Sequence, residues 1–202
     1  MPADIRERAR DTLRFELAEA MCRLFAERGF AEVTVEEAAA AAGISRATFF
    51  RYFGSKEDAV LVAVDAAALD YGAAMAAVPQ HPGESHWALL GRVFSRTLEG
   101  SDTPEVRARL RMIYGTMSLR VRLAERRIRR EASLSEALRD RIADPAQARA
   151  ITVAALAVFD LAWREWAEGD ERPLAAIVHD AFAALDGAVP RDRSAGRETR
   201  SR

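Results

Sequence analysis

The residues from Thr34 to Asp58, TVEEAAAAAGISRATFFRYFGSKED, concentrate side chains suited to gripping another molecule. Arg46 and Arg51 bring planar, bidentate donors, and Lys56 is the only lysine among 30 basic residues. Phe49, Phe50, Tyr52 and Phe53 supply aromatic surface, with Phe30 just upstream. A guanidinium such as Arg46 pairs in plane with guanine O6 and N7, while Ala47, the Thr48 methyl and Phe50 suit thymine methyls. Thr34, Tyr52 and Lys56 can reach phosphates, which fix position rather than sequence. Ser45 and Arg51 complete the candidate DNA-binding set. The chemistry these residues offer is noncovalent recognition of a duplex through its major groove.

Such a set works only if short helices hold it. Thr34 heads the first, and Glu37 three residues on makes a capping box. The alanine-rich run Val35 to about Ala42 is a good helix former, and Gly43 ends it, since glycine enters the left-handed region at low cost. Ile44 is the apolar pivot of the turn. Ser45 is the next N-cap, and the second helix runs from Arg46 to Phe50 or Arg51. Helical spacing turns Ile44, Phe49 and Phe53 inward and leaves Arg46, Ala47, Thr48, Phe50, Arg51 and Tyr52 outside. Ser55 caps a third helix whose first turn carries Lys56, where dipole and ammonium both favour a phosphate. A glycine turn between short helices is also ordinary all-α packing, so the turn alone leaves both readings open.

The run GISRATFFRYFGSKED resembles the DNA-binding signature of the TetR family of bacterial repressors. The upstream LFAERGF, Leu24 to Phe30, matches the end of that family's first helix. Ala42, Gly43, Ser45, Thr48, Tyr52, Phe53, Ser55, Lys56 and Glu57 match singly, and the likeness covers residues 10–60. Two positions depart from the pattern. Ala38 stands where a large apolar residue is usual, and Phe50 replaces a tyrosine whose hydroxyl often reaches a phosphate in the family. The resemblance implies an all-α chain with a three-helix helix-turn-helix DNA-binding domain at residues 1–55. A helical ligand-binding and dimerisation domain would follow at 56–188, then a disordered tail at 189–202. It implies a homodimeric, ligand-responsive regulator of double-stranded operator DNA, most simply a repressor that leaves a palindromic operator when a small molecule binds. An activator is the rival within the class, because the sign depends on where the operator lies. A helical enzyme or lipid carrier is the rival outside it.

The whole chain sets bounds on these readings. Its 202 residues allow one or two small domains. A net charge of −1 argues against a generic polyanion binder. Residues 1–58 carry nine basic against eleven acidic side chains, so affinity for DNA has to come from a local patch and two copies. Cys22 is the one cysteine, which excludes an intrachain disulfide, and its helical pattern predicts burial. No signal peptide is evident and no apolar run approaches about 20 residues, so the expectation is a cytoplasmic protein with no membrane partner. Helices are predicted at about 5–28, 56–77, 85–98, 104–118, 120–142, 145–168 and 172–186. Pro104 and Pro145 stand at first-turn positions.

Beyond about residue 60 the residues are less diagnostic. The helices at 145–168 and 172–186 hold more apolar surface than one face needs, which predicts a two-fold interface with a second chain. Residues 107–130 carry nine arginines and one acid, Glu125. That cluster reads as a solvated face, or as a grip on an anionic, acyl-CoA-like effector through Arg120, Arg122 or Arg126. Trp87, Met112, Tyr114, Met117, Arg120, Phe159 and Trp163 are the candidate effector-binding residues, each also suited to a core. The three histidines lack metal spacing, no nucleophile motif or glycine-rich phosphate loop occurs, and no cofactor is expected.

Overall fold

The computed structural model describes residues 2–65, 71–139 and 141–186. Regular structure among them is helical throughout: α1 Pro2–Arg28, α2 Val35–Ala41, α3 Arg46–Tyr52, α4 Lys56–Asp65, α5 Tyr71–Ala77, α6 His86–Thr97, α7 Pro104–Gly115, α8 Met117–Arg139, α9 Pro145–Glu168 and α10 Leu174–Leu185. The single helix expected over 56–77 is described as α4 and α5, with 66–70 outside the described residues. The tail expected at 189–202 also lies outside them. The 120–142 helix begins earlier than expected, at Met117, because the chain breaks at Thr116, which is extended.

Two compact units divide the chain, Met1–Leu69 with Thr103–Arg129, and Asp70–Asp102 with Arg130–Arg202. In the first, α1 packs along α4 and also meets α2 and α7. Met21, Phe25, Phe30, Val33, Phe49, Phe53, Val60 and Leu61 are among its buried apolar residues. The small Ala38 and Ala39 are fully buried on α2, so the departure at Ala38 is met by a packed alanine face. α7 starts with Pro104 behind the Thr103 cap, as the proline pattern predicts. Its Arg109 is only 7% exposed; it donates to the Ala63 carbonyl on α4 at 3.0 Å and pairs with Glu19 on α1.

The second unit is built around aromatic rings. Phe94 on α6 stacks on Phe159 of α9 at 4.6 Å, and Trp163 follows Phe159 at 5.1 Å. Trp87 lies 4.8 Å from the Phe182 ring of α10 and donates its indole N–H to the Phe182 carbonyl at 2.8 Å. Gly91 lets α6 and α10 approach; a Cβ there would lie 2.9 Å from the Phe182 Cβ. Asp102 accepts from the Leu174 amide and so caps α10, which has no capping side chain of its own. By length and composition α9 could cross a membrane, contrary to the expectation of no such apolar run. Half of that apolar stretch is buried inside the structure, including Ile151, Leu156, Phe159, Trp163 and Trp166. These residues identify α9 as the core helix of its unit.

Candidate nucleic-acid interface

The helix pair α2–α3 is fixed by local chemistry at each step. Thr34 and Glu37 form the full capping box: the Thr34 amide donates to Glu37 at 2.9 Å and the Glu37 amide donates to the Thr34 hydroxyl at 3.2 Å. Arg28, ending α1, adds an ion pair to Glu37 at 2.8 Å. Hydrogen bonds from the Thr34 amide and hydroxyl, then Arg28, hold the Glu37 carboxyl down at about 2. At the other end of α2 the Ile44 amide donates to Ala39 and the Gly43 amide to Ala40, at 2.9 and 3.0 Å. Those two bonds make a Schellman motif, with Gly43 at φ +68 supplying the left-handed residue. Ser45 then accepts from the Thr48 amide and starts α3.

The faces of α3 divide as the spacing predicts. Phe49 and Phe53 are buried and Ile44 is half-buried. Arg46, Ala47, Phe50 and Arg51 are exposed, and Thr48 and Tyr52 are half-buried. Phe50 is 45% exposed, a large aromatic surface in open solvent on a helix only 7 residues long. Arg46 lies over that ring at 5.3 Å and Arg51 over Tyr52 at 5.4 Å, so stacked guanidinium–aromatic pairs make up the outer surface. Arg46 also pairs with Glu36 of α2 at 2.7 Å. Both side chains of that pair are well exposed, so it is weak and leaves the guanidinium available.

Lys56 does more than its sequence position suggests. Its ammonium donates to the carbonyls of Phe30 and Val33 at 2.8 and 2.6 Å and lies 4.7 Å from the Phe30 ring. The lysine therefore ties the start of α4 to the loop between α1 and α2, and one of its three N–H groups is left for a further acceptor. Ser55 caps α4, as expected, by accepting from the Asp58 amide at 3.0 Å.

Three residues that sequence reading passed over also shape this surface. Glu36 holds Arg46, Arg28 holds Glu37, and Asp58 receives Arg122 and Arg126 from α8 at 3.3 and 3.4 Å. The last was partly readable, because Ser55 followed three residues later by Asp58 is itself a capping pattern. The arginine cluster accordingly works in part as internal bracing, through Arg109, Arg122 and Arg126.

The effector candidates fall in separate units. Trp87, Phe159 and Trp163 are buried in the second. Met112, Tyr114, Met117 and Arg120 are in the first, with Met117 65% exposed and Arg120 donating to its sulfur at 3.4 Å. Cys22 is buried as expected, and that burial pushes its thiol up to about 12, so it stays protonated and unreactive.

Comparison with known proteins agrees with this geometry. Residues 17–62 match the family of bacterial regulatory proteins described as the tetR family. The HTH-type transcriptional regulator TcmR of Streptomyces glaucescens is 29% identical over 196 residues, covering 92% of this chain and 87% of the relative. Among solved structures, the fatty acid degradation regulator FadR from Bacillus halodurans aligns with a TM-score of 0.59 at 18% identity, over 89% of this chain and 97% of that one. FadR of Thermus thermophilus, a repressor solved in complex with lauroyl-CoA, aligns with a TM-score of 0.57 at 23% identity, over 90% and 97%.

Proposed function

We propose that this chain is a transcriptional regulator of the TetR family, a homodimeric repressor that leaves a palindromic operator when a small molecule binds its helical C-terminal region. The observation that carries the reading is the division of α3, with Phe49 and Phe53 buried while Arg46, Ala47, Phe50 and Arg51 face solvent. On DNA, Arg46 leaves Glu36 and pairs with guanine O6 and N7. Ala47, the Thr48 methyl and Phe50 touch thymine methyls. Thr34, Ser45, Arg51, Tyr52 and the third N–H of Lys56 meet backbone oxygens and set the register. A DNA target implies a cytoplasmic location.

Two copies are needed because one short helix covers only a few base pairs. The second copy is met through α9 and α10, where Val153, Leu161 and Leu185 remain exposed after the unit's own core is filled. The two α3 helices then enter major grooves about 34 Å apart. The effector is an anionic or acyl-CoA-like molecule, a class in keeping with the arginine-rich 107–130 segment and with the ligand of the Thermus relative. A coupling of roughly 1–3 kcal/mol between effector and operator gives a ~5- to 150-fold loss of DNA affinity.

Selection from a randomised duplex library, with affinities of the winners read at two salt concentrations, tests this directly. The expected result is a palindrome bound by two subunits, with affinity falling steeply as salt rises. Absence of enrichment by folded dimer, also after unfolding and refolding to strip any bound ligand, overturns it.

A further inference from the structure

The carboxylate of Asp58 links the reading surface to α8. It lies three residues after Ser55, at the start of α4, between the DNA-facing Tyr52 and Lys56 and the body of the helix. Its Oδ2 accepts from the Ser55 hydroxyl at 2.9 Å and its amide donates to the Ser55 hydroxyl at 3.0 Å. The same carboxylate takes the guanidinium of Arg122 on Oδ2 at 3.3 Å and that of Arg126 on Oδ1 at 3.4 Å. Arg126 is 8% exposed, so its charge is held away from water and is costly to leave without a partner. A second buried arginine, Arg109 of α7, grips α4 one to two turns further on through the Ala63 carbonyl, and α1 through Glu19.

Resting on the DNA-reading function above, we propose that Asp58 and Arg126 are positioning residues for operator recognition: their ion pair sets the orientation of the first turn of α4, and with it Tyr52 and Lys56, relative to α8. The argument is geometric. Gly54, at φ +78, supplies the left-handed residue at the joint just before this turn. Lys56 ties the turn to Phe30 and Val33 on the side of α1, but those bonds reach a loop. Asp58 is the point at which the turn meets the long helix α8. Both side chains are largely shielded from solvent and lie off α3, so their effect on DNA binding passes through the turn they hold. Because α7 and α8 carry the arginines, a shift of either helix is felt at α4 as strain on two charged contacts rather than as diffuse packing.

The test is a double-mutant cycle on Asp58→Asn and Arg126→Met, reading affinity for the selected operator and for a random duplex of equal length. Changing a surface charge moves both affinities together, whereas loss of positioning lowers only the first. Each single variant should lose operator affinity by on the order of tenfold, with the random duplex shifted less than about twofold. The double variant should lose no more than the worse single one. Hydrogen exchange of the amides from Gly54 to Val60 in the DNA-free protein should quicken in each variant, a readout that stands even if Arg126→Met binds poorly for want of stability. Equal changes on both duplexes, or additive losses with unchanged exchange, overturn the proposal. A wild-type protein that prefers no operator fails the DNA-reading function itself, and is thereby distinguished from wild-type preference with unaltered variants.

Discussion

Lys56 illustrates how much one side chain can be asked to do. Its place at the first turn of α4 predicts a phosphate contact, and the structure adds two carbonyl acceptors, Phe30 and Val33, that the sequence gives no means of pairing with it. The reason is separation: these partners are 26 and 23 residues away, brought close by the loop between α1 and α2. Local signals were legible instead. The Thr34–Glu37 box, the Gly43 turn and the Ser45 cap all rest on spacings of five residues or fewer, and all are present. The Glu36–Arg46 pair lies between, close in sequence but across the turn, and only the structure joins it. Replacing Lys56 by methionine keeps the stem and removes the ammonium. We expect a loss of roughly 2 kcal/mol in denaturant unfolding, since two part-buried carbonyls lose a charged donor. The slope of log affinity against log salt should also fall by about one phosphate's worth. Unchanged stability would show that the carbonyl contacts do not hold the loop.

Among the helices, those whose ends carry a cap or a proline are the ones periodicity bounds best. α9 runs from Pro145 to Glu168 as predicted, because Asp144 caps it and Gly169 ends it. α8 is less well bounded: it begins at Met117 rather than at the expected 120, where Thr116 takes an extended backbone between α7 and α8. The aromatic stripe on α9 was visible as apolar, but its division between core and outer surface was not. Phe159 turns inward onto the Phe94 ring of α6 and Trp163 lies beside Phe159, while Val153 and Leu161 remain outside, a choice made by packing against α6 and α10. Gly91 marks the closest approach of α6 and α10. Gly91→Ala gains about 1 kcal/mol of helix propensity. It also drives a methyl to within 2.9 Å of the Phe182 Cβ, an atom too near the backbone to swing aside. Overpacking of this kind costs about 1–3 kcal/mol, so the net expectation is destabilisation by about 1 kcal/mol. A variant more stable than wild type would mean that the two helices can move apart freely.

For the molecule as a whole, the charge balance decides how DNA is held. With nine basic and eleven acidic side chains in residues 1–58, net charge supplies no long-range attraction, and on the proposed function binding rests on a few local cations used once in each of two copies. That was readable from composition, and so was the all-helical class. The partition into two units was not: α7 and the start of α8 join the reading head through Arg109, Arg122 and Arg126, contacts across 46 to 90 residues that no sequence period encodes. Reading of DNA by the exposed face of α3 is the central claim, and Arg46 is its most specific element. The direct test is to run the duplex selection in parallel on the wild-type protein and on Arg46→Ala. The account predicts a palindrome from the wild type, and from the variant the same palindrome with preference relaxed at one base per half-site and affinity weakened by roughly 1–3 kcal/mol. Identical base preferences from the two proteins would contradict it.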